Sequence, residues 1–284
     1  TVRRCWGELH RDCRGSRVRS IIDGQATSVE MFHAPHGQPA RAHEAVKQQL
    51  LSLKSPATLR RRLGDIDELH DFRRIYVMGC GRSGTWLLTG LFSTYADVEI
   101  VPKELGIEYF GLFTTRQKAL VVKRNFAAHS QVEKIPECIE IAYAIRHPFD
   151  VLTSHNPVTG NTYHIAPHRW LNEMLALQYL LDAKHRHTTI IKYEDLVRHP
   201  GDSQAFIAKK LQLDIKHTAD IFDKTFKAPP EAVRAMHGLR AIDTNSIGRY
   251  KDSRDKIAYL KGILPRLGRM LDWVGEAFGY DVAI

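Results

Sequence analysis

The chain has 284 residues, 43% of them hydrophobic, enough for one domain with a substantial core and an extension. Lys and Arg number 41 against 32 Asp and Glu, a formal net charge of +9 that suits an anionic ligand or an acidic acceptor. Cys5, Cys13, Cys80 and Cys138 form no CxxC pair, which argues against zinc, and no aromatic-and-basic repeat or zinc-finger spacing points to nucleic acid. Nothing resembles a signal peptide or a membrane span, so a cytoplasmic protein is the default, with a removed leader or anchor left open because the chain starts at Thr1.

Residues 1 to about 58 open on a basic stretch, Arg3 to Arg19, followed by a proline- and glycine-containing loop over 31–39 and helical composition over 40–53. Arg60, Arg61 and Arg62 lead into another helix ending before Phe72, so 1–70 reads as an N-terminal extension and 71–284 as the main domain. Ile75, Tyr76, Val77 and Met78 then form an apolar, β-favouring run. Gly79, Gly81 and Gly84 follow, and after them Trp86, Leu87, Leu88, Leu91 and Phe92 recur at helical spacing. Further strands are predicted over 98–101, 119–122, 139–145 and 188–191. Pro148 suits the first turn of a helix, and longer helices are predicted over 170–183, 203–211, 219–226 and 257–278, the last interrupted near Pro265. A loop over 242–251 breaks this helical C-terminal part. Strands alternating with helices imply an α/β fold, a parallel central sheet of about five strands with helices on both faces. Ligands then bind beyond the carboxyl ends of the strands, where Arg82, Glu104, Lys123, Arg146 and Tyr193 fall, Glu104 on the connection after the second strand.

Strand, glycine-rich turn and helix together make a phosphate cradle, because glycines admit an anion to the backbone and a helix N-terminus presents unpaired N–H groups to it. The spacing from Gly79 to Gly84 begins a Walker A loop, yet Thr85 stands at the lysine position and Trp86 at the Mg²⁺-binding hydroxyl. Both absences weigh against an ATP- and Mg²⁺-dependent, kinase-like phosphotransferase. What is left is a phosphate-binding loop whose one cation is Arg82, with Cys80 filling the tight turn.

Four motifs stand in order: Gly79 to Thr85; Ala144 to Ser154, with Arg146 and Ser154 eight positions apart; Tyr193, Glu194, Asp195 and Leu196; and Ser246 to Lys251. Together they resemble the sulfotransferases that use 3′-phosphoadenosine 5′-phosphosulfate (PAPS), over roughly 73–284. The resemblance implies a P-loop-like fold, in-line transfer of a sulfuryl group to an acceptor hydroxyl or amine, the product 3′-phosphoadenosine 5′-phosphate, and no metal requirement. It implies that Gly81, Arg82, Ser83, Gly84, Thr85 and Trp86 hold the 5′ end of the donor and that Arg146 and Ser154 hold its 3′-phosphate. Tyr193 stacks near the adenine or packs as an ordinary tyrosine. Ser246, Gly248, Arg249 and Lys251 close over the nucleotide, Arg82 and Lys123 face the transferring group, and Glu194 and Asp195 cap a helix. The acceptor class (carbohydrate, phenol, lipid or peptide) stays open.

Two positions depart from the family pattern. Trp86 stands where a second threonine is common, and the cytosolic branch's Lys-x-His after the third strand is here Lys123, Arg124 and Asn125. Asparagine accepts no proton at neutral pH, so the base must come from elsewhere. Glu104 is the first candidate, near the glutamate of the tyrosylprotein branch, and His129 the second, with Glu108 and His155 behind them. The vacant histidine also keeps a non-catalytic nucleotide-binding module as an alternative.

Overall fold

A strand that is apolar on both faces needs cover on both sides, and this requirement organises the sheet. The computed structural model describes the backbone of 20–22 and 25–27 and residues 72–107, 109, 113, 115–125, 132–155, 163–182 and 187–284. Two units divide the chain, Thr1–Phe32 and His33–Ile284. In the first, β1 (Ser20–Ile22) pairs antiparallel with β2 (Gln25–Thr27). The expected helices over 40–53 and before Phe72, and the expected boundary near residue 70, lie outside the described residues.

The second unit holds a five-stranded parallel sheet made of β3 (Arg73–Gly79), β4 (Val98–Leu105), β5 (Ala119–Arg124), β6 (Ile139–Ile145) and β7 (Thr188–Lys192), in the order β4-β5-β3-β6-β7. Side chains alternate across each strand. Ile75 and Val77 of β3 face α1 (Thr85–Leu91), α4 (Tyr193–Arg198) and α5 (Pro200–Leu211), through Leu88, Leu91, Leu196 and Ile207. Tyr76 and Met78 face the other way, toward α2 (Pro148–Leu152), α3 (Pro167–Asp182) and α8 (Arg254–Phe278), through Phe149, Trp170, Leu177, Leu260 and Leu267. Burying a Leu, Ile or Phe contributes roughly 1.5–3 kcal/mol, so two full faces of them set the layer order.

Three expectations need correcting. β4 runs on to Leu105, so Glu104 sits in a strand and not on the connection after it. Val98 pairs with Ala119 and Ile100 with Val121, but Glu104 pairs with Lys123, so four steps along β4 match two along β5. Pro102, which has no N–H to give the ladder, lies inside this irregularity on an edge strand. The segment 219–226 is a 3₁₀ turn followed by the single-turn α6 (Phe222–Thr225), and α7 (Pro230–Ala235) comes after it. The last helix runs through Pro265 and breaks at Gly268, whose φ of 48° and ψ of −143° suit a residue without Cβ. No described helix is long and apolar enough to cross a membrane.

Candidate active site

The glycine loop is built by close approach. A Cβ on Gly79 would stand 2.4 Å from the Ala144 carbonyl oxygen of β6, and one on Gly84 would stand 2.4 Å from Tyr193 Cδ2. Both have positive φ, 143° and 88°, and so does Arg82 between them at 71°. Ser83 spends its hydrogen bonds on the turn itself. Its hydroxyl donates to the Cys80 carbonyl at 2.7 Å or the Ala144 carbonyl at 3.0 Å, and its N–H donates to Cys80 at 3.1 Å. Ser83 thus shapes the loop, and Gly84 and Thr85 open the helix, where no side chain caps α1. Cys80 is buried, and burial with nearby Glu173 pushes its thiol up to about 12, which leaves it inert.

Arg82 does not point along the loop. Its Nε donates to Ser154 Oγ at 2.8 Å, one terminal nitrogen donates to the Ala235 carbonyl at 2.9 Å, and the other reaches His237 Nε2 at 3.3 Å. Arg146, at the end of β6, donates to the Arg82 carbonyl at 3.0 Å and to the Ser246 carbonyl, and lies 4.4 Å over the Tyr193 ring. It also pairs with Asp150 at 3.8 Å. Asp150 in turn accepts from the Gly248 N–H at 2.7 Å and the Tyr250 N–H at 3.2 Å, fastening the late loop to α2. Sequence reading separates Arg82 from Arg146 and Ser154 as two ends of a donor; the structure brings Arg82 and Arg146 together, with Tyr193, Trp86 and Ser246, around one cavity of about 150 Å³, and Ser154 joins them through its hydrogen bond with Arg82.

A second cavity of about 260 Å³ adjoins it, sharing Arg82, Thr85, Trp86, Ala235 and His237. Here Lys123 Nζ donates to Glu104 Oε1 at 2.5 Å and lies 4.7 Å from the Trp86 ring centroid. Burial lowers the Lys123 pKa, and Glu104 works against that by favouring the charged form. The two residues read separately as cation and base are an ion pair, set side by side by the register of β4 on β5. Arg124, next along, pairs with the fully buried Glu173 of α3 at 2.5 Å and donates to the Gly79 carbonyl at 2.9 Å. It thereby locks the start of the glycine loop to the helix behind it.

Other expected residues fall elsewhere. Arg249 and Lys251 are exposed and line neither cavity. The reason is that the Asp150 contacts fix their loop through backbone groups, leaving these side chains outward. Glu194 does not cap its helix; its carboxylate accepts from the His147 N–H and the Tyr280 hydroxyl, each at 2.9 Å. His155 is exposed and packs against Tyr163. His129 and Glu108 lie outside the described residues. Sequence reading missed His164, Arg169, Glu231, Arg234 and His237, all lining the larger cavity. None sits in a motif or at a strand end, so no local signal marked them. Among the described residues no group of His, Cys, Asp and Glu is placed to hold a metal ion.

No protein-family model matches the sequence, and no curated protein does. Solved structures do. The sulfotransferase domain from the Synechococcus PCC 7002 olefin synthase superposes with a TM-score of 0.53 at 15% identity, over 76% of this chain and 98% of that one. The sulfotransferase domain from the curacin biosynthetic pathway gives 0.51 at 14% identity, over 68% of this chain and 97% of that one. This is the sulfotransferase fold. Within it, both cavities lie beyond the carboxyl ends of β3, β5 and β6, where an open parallel sheet places its ligands.

Proposed function

We propose that this protein transfers the sulfuryl group of PAPS to an acceptor hydroxyl or amine. The observation that carries the reading is the bridge made by Arg146. From the end of β6 it reaches the Arg82 carbonyl in the glycine loop and the Ser246 carbonyl in the late loop, while Arg82 holds Ser154. Three segments far apart in sequence thus share one cavity walled by Trp86 and Tyr193. The residues fit an anionic nucleotide. Arg146 Nε is buried with no hydrogen-bond partner among the described residues, and Arg82 and Arg146 line the same cavity as the flat Trp86 and Tyr193 rings. The likeness of fold to sulfotransferase domains supports the same reading.

When bound, the donor supplies a sulfuryl group activated by a phosphate leaving group. The chain's own part is to orient it and to meet the charge that develops on the departing oxygen. Lys123, paired with Glu104, stands in the larger cavity, through which the acceptor enters. A sulfuryl group carries less charge than a phosphoryl group, so side-chain cations suffice for it. The test is a thermal-shift titration followed by transfer from labelled PAPS to carbohydrate, phenol, lipid-alcohol and peptide acceptors. Adenosine 3′,5′-bisphosphate raises the melting temperature by mass action, and ATP does so far less. Equal stabilisation by ATP, or no labelled product from any acceptor class, counts against the proposal.

A further inference from the structure

The larger cavity lacks an obvious proton acceptor at the strand ends. Asn125 accepts none, and Glu104 is committed to Lys123 at 2.5 Å. A carboxylate that gives up that ion pair would leave the Lys123 ammonium buried without its partner, and breaking a buried pair is strongly unfavourable. An acceptor hydroxyl must nevertheless lose its proton as it attacks. The group has to stand in this cavity, close to the glycine loop, and be unprotonated at physiological pH.

From this geometry we infer that His164, on the segment leading into α3, is the general base, an inference that rests on the sulfotransferase reading above. Its ring lines the same cavity as Lys123, Glu104 and Trp86. A Cβ built on Gly81 would stand 3.7 Å from His164 Nε2 and 3.2 Å from an Arg169 terminal nitrogen, so both side chains lie directly over the glycine loop. The segment is held on both sides. The His164 N–H donates to the Ser154 carbonyl at 2.9 Å, Ile165 is fully buried, and Arg169 N–H closes the first turn of α3 on the Ala166 carbonyl at 3.0 Å. Ser154 thus ties the base to the donor cavity, since its hydroxyl takes the Arg82 Nε–H.

The charges around the ring agree with this role. Burial, then Arg169, then Arg82 lower its pKa below the ordinary 6.5. Lys123 with Glu104, Arg124, Glu231, Arg234 and His237 share the cavity wall. A neutral imidazole is therefore the resting form at pH 7. In the step, His164 Nε2 takes the acceptor's hydroxyl proton as that oxygen bonds to sulfur. The bridging sulfur–oxygen bond breaks, its electron pair stays on the phosphate oxygen that leaves, and the imidazolium then returns its proton to water. No oxidant, reductant or further reactant is needed.

Wild-type transfer to the acceptor panel is measured first; no transfer to any class overturns the sulfotransferase reading and this inference with it. Given transfer, His164→Gln is expected to lose at least about a hundredfold in turnover while binding adenosine 3′,5′-bisphosphate as wild type does. The wild-type kcat/KM profile should rise with pH below 6.5, because only the neutral ring accepts a proton, and that limb should vanish in the variant. Independently of activity and of how the variant folds, the His164 ring resonance in the wild-type protein should titrate at the pKa of that limb. Near-normal turnover in His164→Gln, or an unchanged acid limb, overturns the assignment and leaves the transferase reading intact. So does a ring pKa that does not match the limb. Collapse in His237→Gln with His164→Gln unaffected moves the role to His237.

Discussion

At the scale of single residues, the site is a set of side chains that hold one another. Arg82 gives its Nε–H to Ser154 and its carbonyl to Arg146, so no one of the three is removed without disturbing the others. Arg146→Ala should weaken adenosine 3′,5′-bisphosphate binding by about 1.5–3 kcal/mol in calorimetry, the range for a hydrogen bond to a charged group. Arg82→Ala and Ser154→Ala should not add: a double-mutant cycle on the same affinity should return a coupling of at least about 0.5 kcal/mol. Strict additivity would show that the contact contributes nothing to binding. The identities of these three residues are legible in the motifs that resemble the sulfotransferases. Their mutual contact is not legible, since the direction of a long side chain follows from what surrounds it.

Among the elements, the junction of β6 and α2 carries most of the anchoring. His147 is the N-cap of α2. Its Nδ1 accepts from the Phe149 N–H at 3.3 Å while Nε2 donates to the Asp281 carbonyl at 2.9 Å, which together require the neutral ring. The ring stacks on Tyr250 at 5.0 Å and meets Tyr280 edge-on at 5.4 Å, joining α2 to the late loop and the chain's end. Burial lowers its pKa from the ordinary 6.5, partly offset by the Asp281 carbonyl and the nearby Asp150 and Glu194 carboxylates. The unfolded chain therefore takes up a proton at this histidine before the folded one does. Stability present above pH 6.5 is lost as the pH falls toward the lowered value and levels off below it. Chemical denaturation between pH 7 and 5 should show this fall, and His147→Asn, which can still cap the helix, should flatten it. An undiminished slope in the variant would place the effect on other histidines.

For the whole molecule, Asp150 decides whether the late loop belongs to the site. It is buried, pairs with Arg146 and accepts from the Gly248 and Tyr250 amides. Asp150→Ala leaves Arg146 without its partner, at a cost of about 3–5 kcal/mol if the pair behaves as a buried one. Faster amide exchange is expected at Gly248 and Tyr250, with weaker bisphosphate binding; unchanged exchange there would mean the loop is held by something else. What the sequence by itself determined is the sheet, the strand-end motifs and the glycine loop. Continuous apolar runs, helical spacing and close-approach glycines are local consequences of backbone sterics and burial. Only the tertiary structure decided that Lys123 meets Glu104, that Arg82 turns to Ser154, and that His164 and Arg169 cover Gly81. Those contacts depend on an irregular register at Pro102 and on a segment packed from another part of the chain. Neither leaves a periodic trace, because periodicity records which face of an element is buried and not which distant group lies opposite it.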